Sequence, residues 1–491
     1  MCNIEHSLRI FEIHNIKIGT SSSMDVLETP FPPSKAAFRN DISDQVLKPM
    51  LEFLSAELSQ EPGICYGQLG NDLPPPQKSL ELIKTLNAKR VKIYDTSPQI
   101  LQALRNTNIE VTITIPNLLI SNIAINQTFS NQWIQKNVVP FYRHTLIRYI
   151  LVENKIKSTT NNQTYSNLVP AIRNIENSLG KFGIHNIKIG TSFSMDVLET
   201  SFPPSNATFR NDISDHVLKP LLEFLSKSES YFFVDVYPFF AWASDPININ
   251  LDYALFKSKY IRVTDPGTGL VYSNLFDQMI DAVYFALNRL GYPKVPIFIA
   301  ETGWPNSGDS NQFGANIYNA ATYNRNFIKK VTKKPAIGTP LRPGVVLQSF
   351  LFSLFNENQK LGPGTERHFG LFYPNGKIIY DIDLSGGVWN NSTRNNSTRK
   401  RWCVVANGAN VKLVANALSY ACAQGNGICD LIQPGKKCYK PNSVLWAASY
   451  AFSSYWAQFK KTGGTCYFNG LATQTSKDPS KGSCEFPAVT L

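Results

Sequence analysis

The sequence predicts an α/β protein built on a (β/α)8 TIM barrel, with a small disulfide-stapled C-terminal domain. Three observations carry that prediction. From Gly63 onward, short apolar runs alternate with helical patterns, as parallel α/β folds require. One run, Val295 to Ala300, leaves no room for polar side chains and ends in Glu301, after which Thr302, Gly303, Trp304 and Pro305 break the strand. It reads as a strand buried on both faces, with a carboxylate and then an exposed tryptophan at its C-terminal end, where such a barrel carries its chemistry. Six of the 8 cysteines (Cys403, Cys422, Cys429, Cys438, Cys466 and Cys484) lie in the last fifth of the chain, the density of a stapled small domain.

Eight candidate strands follow in order: 63–66, 90–94, 110–115, 147–152, 187–190, 231–237, 295–300 and 346–352. A span of 62–384 suits one barrel. A doubly wound sheet is the competing arrangement, but its first turn would need GxGxxG and the chain reads GQLGND. Residues 385–401 form a polar linker rich in Asn, Ser and Arg, and 402–487 hold the cysteine-rich domain. The cysteine spacing lacks paired CxxC knuckles, so zinc is not expected. Spacing alone leaves the disulfide connectivity open.

Residues 4–55 repeat 175–226 at a constant offset, with about 42 of 52 positions identical. Each copy reads as one βα unit. A closed barrel has no edge for a ninth strand. Since the second copy falls inside the barrel, 1–57 is expected to be an appendage or disordered, unless the first copy displaces the second.

At 491 residues, with 43% apolar and 12% aromatic residues, the chain has ample material for two or three domains. Its formal charge of +12 favours anionic partners. No zinc-finger, basic-zipper or RNA-recognition signature is present, so no nucleic-acid partner is expected. The longest apolar runs are too short and too polar to span a bilayer. Sequons at Asn126, Asn162, Asn206, Asn391 and Asn396, together with the clustered cysteines, point to an extracellular or wall location. The sequence shows neither an apolar signal region at its start nor a hydrophobic anchor tail after GSCEFPAVTL.

The strand ends share a chemical character: Tyr66, Tyr94 with Asp95, Asn117, Asn154 with Lys155, Tyr237 with Phe239 and Phe240, Glu301 with Trp304, and Asn356 to Lys360. Aromatics, amides and carboxylates suit a sugar, whose rings offer apolar faces and whose hydroxyls meet amides and acids. No GxSxG elbow, HExxH helix or P-loop argues for other chemistry, and neither cofactor nor metal is expected.

These residues lie in stretches such as GICYGQLGNDLPPP, RVKIYDTSPQILQAL, DVYPFFAW, AETGWPNSGD and LFNENQKLGPGTERHFGLFYPNG. Through them the span closely resembles plant glycoside hydrolase family 17, the endo-1,3-β-glucanases. Through WCVV, ALSYACAQG, CDLIQPGKKCYKPN and GSCEFP, residues 402–487 resemble the family 43 carbohydrate-binding module. The resemblance implies a monomer acting on β-1,3-glucan by a retaining mechanism, with Glu301 as nucleophile and Asn154 bonding the sugar 2-hydroxyl. It implies a cleft lined by Tyr66, Tyr94, Tyr237, Phe239, Trp304, Glu357, Lys360 and Glu366, and disulfides Cys403–Cys466, Cys422–Cys429 and Cys438–Cys484. In the module, Trp402 and Tyr439 are candidate glucan contacts.

One position departs from the family. Its acid/base is the glutamate of a V-G-N-E segment, and here the segment reads Val152-Glu153-Asn154-Lys155. An ammonium with a pKa of about 10.4 is a poor proton donor at wall pH. Beside Glu301 it would also form an ion pair with the nucleophile. The reading is therefore an impaired glucanase, with a non-catalytic glucan-binding protein as the alternative. Glu153 lies on the same strand face as Lys155, with its Cα roughly 6.6 Å further back.

Overall fold

The computed structural model describes residues 61–154, 162–257, 260–309, 311–387, 400–425, 427–460 and 471–490, with Gly464, Cys466 and Phe468. Residues 1–57, Lys155, Asn391 and Asn396 lie outside the described residues.

Nine parallel strands form one nearly closed barrel. They are β1 (Gly63–Tyr66), β2 (Arg90–Ile93), β3 (Glu110–Ile115), β4 (Leu146–Val152), β5 (Lys188–Gly190), β6 (Ser192–Ser194), β7 (Phe232–Asp235), β8 (Ile297–Thr302) and β9 (Ser349–Leu351). Their order around the sheet is β5-β4-β3-β2-β1-β9-β8-β7-β6. The two ends of that order are neighbours in the chain, separated only by Thr191. β5 pairs with β4 and β6 pairs with β7. The fifth expected strand, 187–190, is β5, and the unexpected β6 directly after it serves the second neighbour.

The barrel interior is filled by aromatic rings rather than open. Phe298 stacks on Phe233 at 5.0 Å and on Phe350 at 5.3 Å, and Tyr149 meets it edge-on at 5.4 Å. Such offset and edge contacts add to what burial itself contributes. The helices of the outer layer include α1 (Pro76–Thr85), α2 (Pro98–Ala103), α3 (Gln127–Asn137), α4 (Asn162–Lys181), α5 (Lys219–Lys227), α6 (Leu275–Arg289) and α7 (Ile317–Val331). Three are started by an asparagine whose side chain accepts a bond from a first-turn N–H: Asn126, Asn274 and Asn316. β9 is followed by a 3-10 turn, Gly364–Arg367, where an eighth helix would stand.

Toward the C-terminus, β10 (Lys400–Val405) pairs antiparallel with β11 (Ala472–Thr475) and β12 (Val489–Thr490). Helices α8 (Val411–Ala423) and α9 (Val444–Phe459) pack with them around Cys403, Phe452 and Trp456. The disulfides are Cys403–Cys466, Cys422–Cys429 and Cys438–Cys484. Trp402, expected as a glucan contact, is buried and donates its indole N–H to Phe486 O at 3.0 Å. Tyr439 is exposed. Of the sequons, Asn126 and Asn206 are exposed and Asn162 begins α4. No helix among the described residues is long and apolar enough to cross a membrane.

Candidate active site

Glu301 lies inside β8, not beyond its end. The strand runs to Thr302, two residues further than expected, and starts two residues later. Its pairing with β7 shifts between Ile299 and Glu301: Ile299 faces Val234, while Glu301 faces Asp235. The extra residue is a β-bulge, which re-aims the side chains after it. Phe298 points into the barrel, so simple alternation would turn residue 300 inward. The bulge turns Glu301 inward instead.

Three donors converge on this buried carboxylate. The Tyr94 hydroxyl donates to Oε1 at 2.6 Å and the Tyr237 hydroxyl to Oε2 at 2.8 Å. Lys92, fully buried on β2, donates from Nζ to Oε1 at 3.0 Å. Burial alone would lower the Lys92 pKa, but the carboxylates of Glu301 and Asp235 outweigh it and hold it above the ordinary lysine value. Burial and then neighbouring negative charge push both phenols well above the tyrosine range, so both remain donors. The arrangement orients Glu301 and holds it out of bulk water.

Gly303 fixes the end of this strand. A Cβ there would lie 2.4 Å from the backbone oxygen of Phe352, beyond the end of the adjacent β9. Gly303→Ala must therefore push the end of β8 off its neighbour and displace Glu301. A misplacement of about 1 Å costs roughly 10²-fold in rate. We expect a loss of that size in kcat, with a lowered melting temperature by calorimetry.

Glu301 opens on a cavity of about 270 Å³. Tyr94, Asn154, Tyr237, Phe240, Glu357, Lys360 and Glu366 line it with Phe352, Phe369 and the 67–69 turn. Glu357 accepts the Leu69 N–H at 2.9 Å and pairs with Lys360 at 3.4 Å. The Lys360 ammonium also sits 4.0 Å over the Phe352 ring. Asn154 contributes an amide oxygen that is buried and has no hydrogen-bond partner among the described residues.

Three expected cleft residues are elsewhere. Trp304, expected to be exposed, is fully buried: it packs on Phe239, Trp242 and Tyr323 and donates to Gly314 O at 2.9 Å. Phe239 is buried in the same cluster, and the next residue, Phe240, takes the cavity position instead. The Tyr66 hydroxyl is held by Ser79 of α1 at 2.9 Å, away from the cavity lining. Lys92 is the functional residue that sequence reasoning missed. Its one signal is a lysine in the middle of an apolar strand, RVKIY. No group of three or more His, Cys, Asp or Glu among the described residues could hold a metal ion.

A parallel barrel with a buried, hydrogen-bonded carboxylate at the C-terminal strand ends, opening on an aromatic and amide-lined cavity, has the form of a glycoside hydrolase. Residues 62–384 match the model of glycosyl hydrolases family 17, and residues 401–473 match the X8 domain. The chain belongs to glycosyl hydrolases family 17. It is 50% identical over 443 residues to the probable glucan endo-1,3-beta-glucosidase A6 of Arabidopsis thaliana, spanning 89% of this chain and 92% of that one. It is 35% identical over 442 residues to the glucan endo-1,3-beta-D-glucosidase of Olea europaea, spanning 89% and 95%. Among solved structures, a beta-1,3-glucanase and allergen of Cryptomeria japonica pollen matches 66% of this chain and 99% of its own, at 40% identity and a TM-score of 0.63. A plant beta-glucan endohydrolase matches 65% and 99%, at 32% identity and a TM-score of 0.60.

Proposed function

We propose that the protein hydrolyses internal 1,3-β-D-glucosidic bonds of cell-wall β-glucan, with Glu301 as the nucleophile of a retaining mechanism. The observation that carries this reading is the Glu301 carboxylate, buried between Tyr94, Tyr237 and Lys92 at a cavity wall in a chain of family 17. Glu301 attacks the anomeric carbon, and water later releases the glucan from it. The unpaired Asn154 oxygen suits a sugar hydroxyl, and Phe240 offers a partly exposed ring to a sugar face. The X8 domain holds the polymer close to the barrel, and the stapled cysteines suit an extracellular location.

Turnover is lowered because Lys155 occupies the family's acid/base position in the sequence. General acid–base catalysis contributes about 10²–10⁴-fold, which bounds what Lys155→Glu can restore. The test is release of reducing ends from laminarin by the purified native protein beside that variant. We expect slow release by the native chain and faster release by Lys155→Glu. No release by either, with laminarin still bound, would instead make this a glucan-binding wall protein.

A further inference from the structure

We propose that the C-terminal domain carries a second polysaccharide site, one for a polyuronate, where the disulfide Cys438–Cys484 joins two lysine-bearing loops. The ligand class is a polymer of sugar rings that each bear a carboxylate. None of the residues of this site lines the barrel cavity, so it stands apart from the hydrolase reading above.

Charge is concentrated in this domain. Residues 402–487 hold eight lysines against two aspartates and one glutamate, a formal +5 of the chain's +12. Four of those lysines, Lys436, Lys437, Lys440 and Lys481, are exposed. None of the four is in an ion pair among the described residues. Two acids border them. Glu485 follows Cys484 and is exposed, and Asp478 accepts the Ser480 N–H at 2.8 Å. Four cations against two anions leave the face positive.

The backbone under these lysines is fixed. In the first loop, Lys436 N donates to Gln433 O and Tyr439 N to Lys436 O, both at 3.0 Å, while Cys438 N donates to Leu431 O at 2.9 Å. In the second, Lys481 and Cys484 exchange both backbone bonds at 3.0 Å, as an antiparallel pair. The disulfide holds the Cα atoms of Cys438 and Cys484 4.8 Å apart. Residues opposed in such a pair lie about 5.5 Å apart. The Lys481 Cα is therefore within roughly 10 Å of the Cys438 Cα, and Cys438 is flanked by Lys437 and Tyr439. Trp446 of α9 ties the first loop down, donating its indole N–H to Cys438 O at 2.9 Å. The Lys440 ammonium lies 5.5 Å from the centre of that indole ring, and Phe486 meets the ring edge-on at 4.9 Å. A face held in this way loses little conformational freedom when a polymer settles on it.

The residue types select the ligand. An ammonium is a compact point charge with three rotatable donors, so it meets carboxylates without demanding one register along the chain. Tyr439 is 44% exposed among these lysines and offers its ring to the apolar face of a sugar. A neutral glucan brings no charge to four ammonium groups, whereas a uronate brings one at every ring. The domain can thus hold the protein in an acidic polysaccharide while the barrel cavity takes a neutral one.

The test uses the full chain and the variant carrying Lys436→Gln, Lys437→Gln, Lys440→Gln and Lys481→Gln. Titration calorimetry measures binding to polygalacturonate, to the same polymer fully methyl-esterified, and to laminarin. At about 10 mM salt, where the Debye length is about 30 Å, native protein binds polygalacturonate, and rising salt weakens the binding. Each exposed pair contributes little by itself, so removing four lysines should weaken binding by about tenfold or more. Methyl esterification removes the ligand's charge and should weaken native binding as much. Laminarin binding stays the same in both proteins. Four arginines at the same positions keep the charge and should keep the binding. If they lose it as the glutamines do, charge is not what binds and the proposal fails. Native binding that esterification or the four glutamines leave unchanged also overturns it. So does double-stranded DNA bound as tightly as polygalacturonate at equal charge concentration, because the face would then read charge and not sugar.

Discussion

Glu301→Gln is expected to abolish glucan hydrolysis, with kcat falling by about 10⁴–10⁶-fold, the scale on which removal of a catalytic nucleophile is felt. The amide is isosteric, and its oxygen can still accept one of the phenols that hold the native side chain. It cannot form the glycosyl ester. A carboxyl at this position sits between Tyr94 at 2.6 Å and Tyr237 at 2.8 Å, so its orientation is fixed before substrate arrives. A fluorinated laminaribiosyl fluoride should label native Glu301 through a slowly hydrolysed ester, and the labelled peptide is found by mass spectrometry. The variant should take no label. Circular dichroism must show it folded, because the substitution also removes a negative charge from beside buried Lys92. A folded variant that keeps native turnover would rule out Glu301 as nucleophile.

The parts of the fold legible in the sequence are those decided by local pattern. Strands buried on both faces write themselves as short apolar runs, so eight of the nine strands were visible before their ends were, while β6, Ser192–Ser194, was not. The ends were set by events elsewhere. β7 stops at Asp235 because the helix Pro238–Ser244 begins three residues later. The pairing passes from β4 to β7 at Thr191, between β5 and β6. Glu301 was legible because a carboxylate closing an apolar run is rare without a use. Its inward direction was not, since that depends on the bulge between Ile299 and Glu301. Trp304 shows the opposite failure. A tryptophan in a turn reads as surface, but its indole N–H is satisfied by Gly314 O and its ring lies against Phe239 and Trp242. Glu153 could be assigned a face by parity, but its left-handed backbone could not be foreseen, since glycine is the residue that ordinarily marks one.

Lys92→Met is expected to damage stability and chemistry together, and by separable amounts. In RVKIY a lysine at an alternating position looks like a solvent-facing side chain. It is in fact fully buried, and its counter-charge, Glu301, is 209 residues away in the chain. Breaking a buried pair by removing one partner leaves the other charge without its compensation, which typically costs about 3–5 kcal/mol. The pKa of Lys92 is raised in the folded protein, so the native state holds that proton more tightly than the unfolded chain does. Its contribution to stability is thus complete at neutral pH and is lost only as pH rises past the ordinary lysine value of about 10.4 toward the folded one. Urea unfolding near pH 6 should show the full deficit of the methionine variant, and the deficit should narrow in strongly alkaline solution. The kinetic signature differs. Without the ammonium 3.0 Å from Oε1, ionising Glu301 costs more, so the acidic limb of kcat/KM moves to higher pH. Lys92→Arg keeps a positive charge, and if it is accommodated it should recover part of that limb while packing worse. A methionine variant with native pH dependence would mean that Lys92 does not set the ionisation of Glu301, reducing it to a packing role.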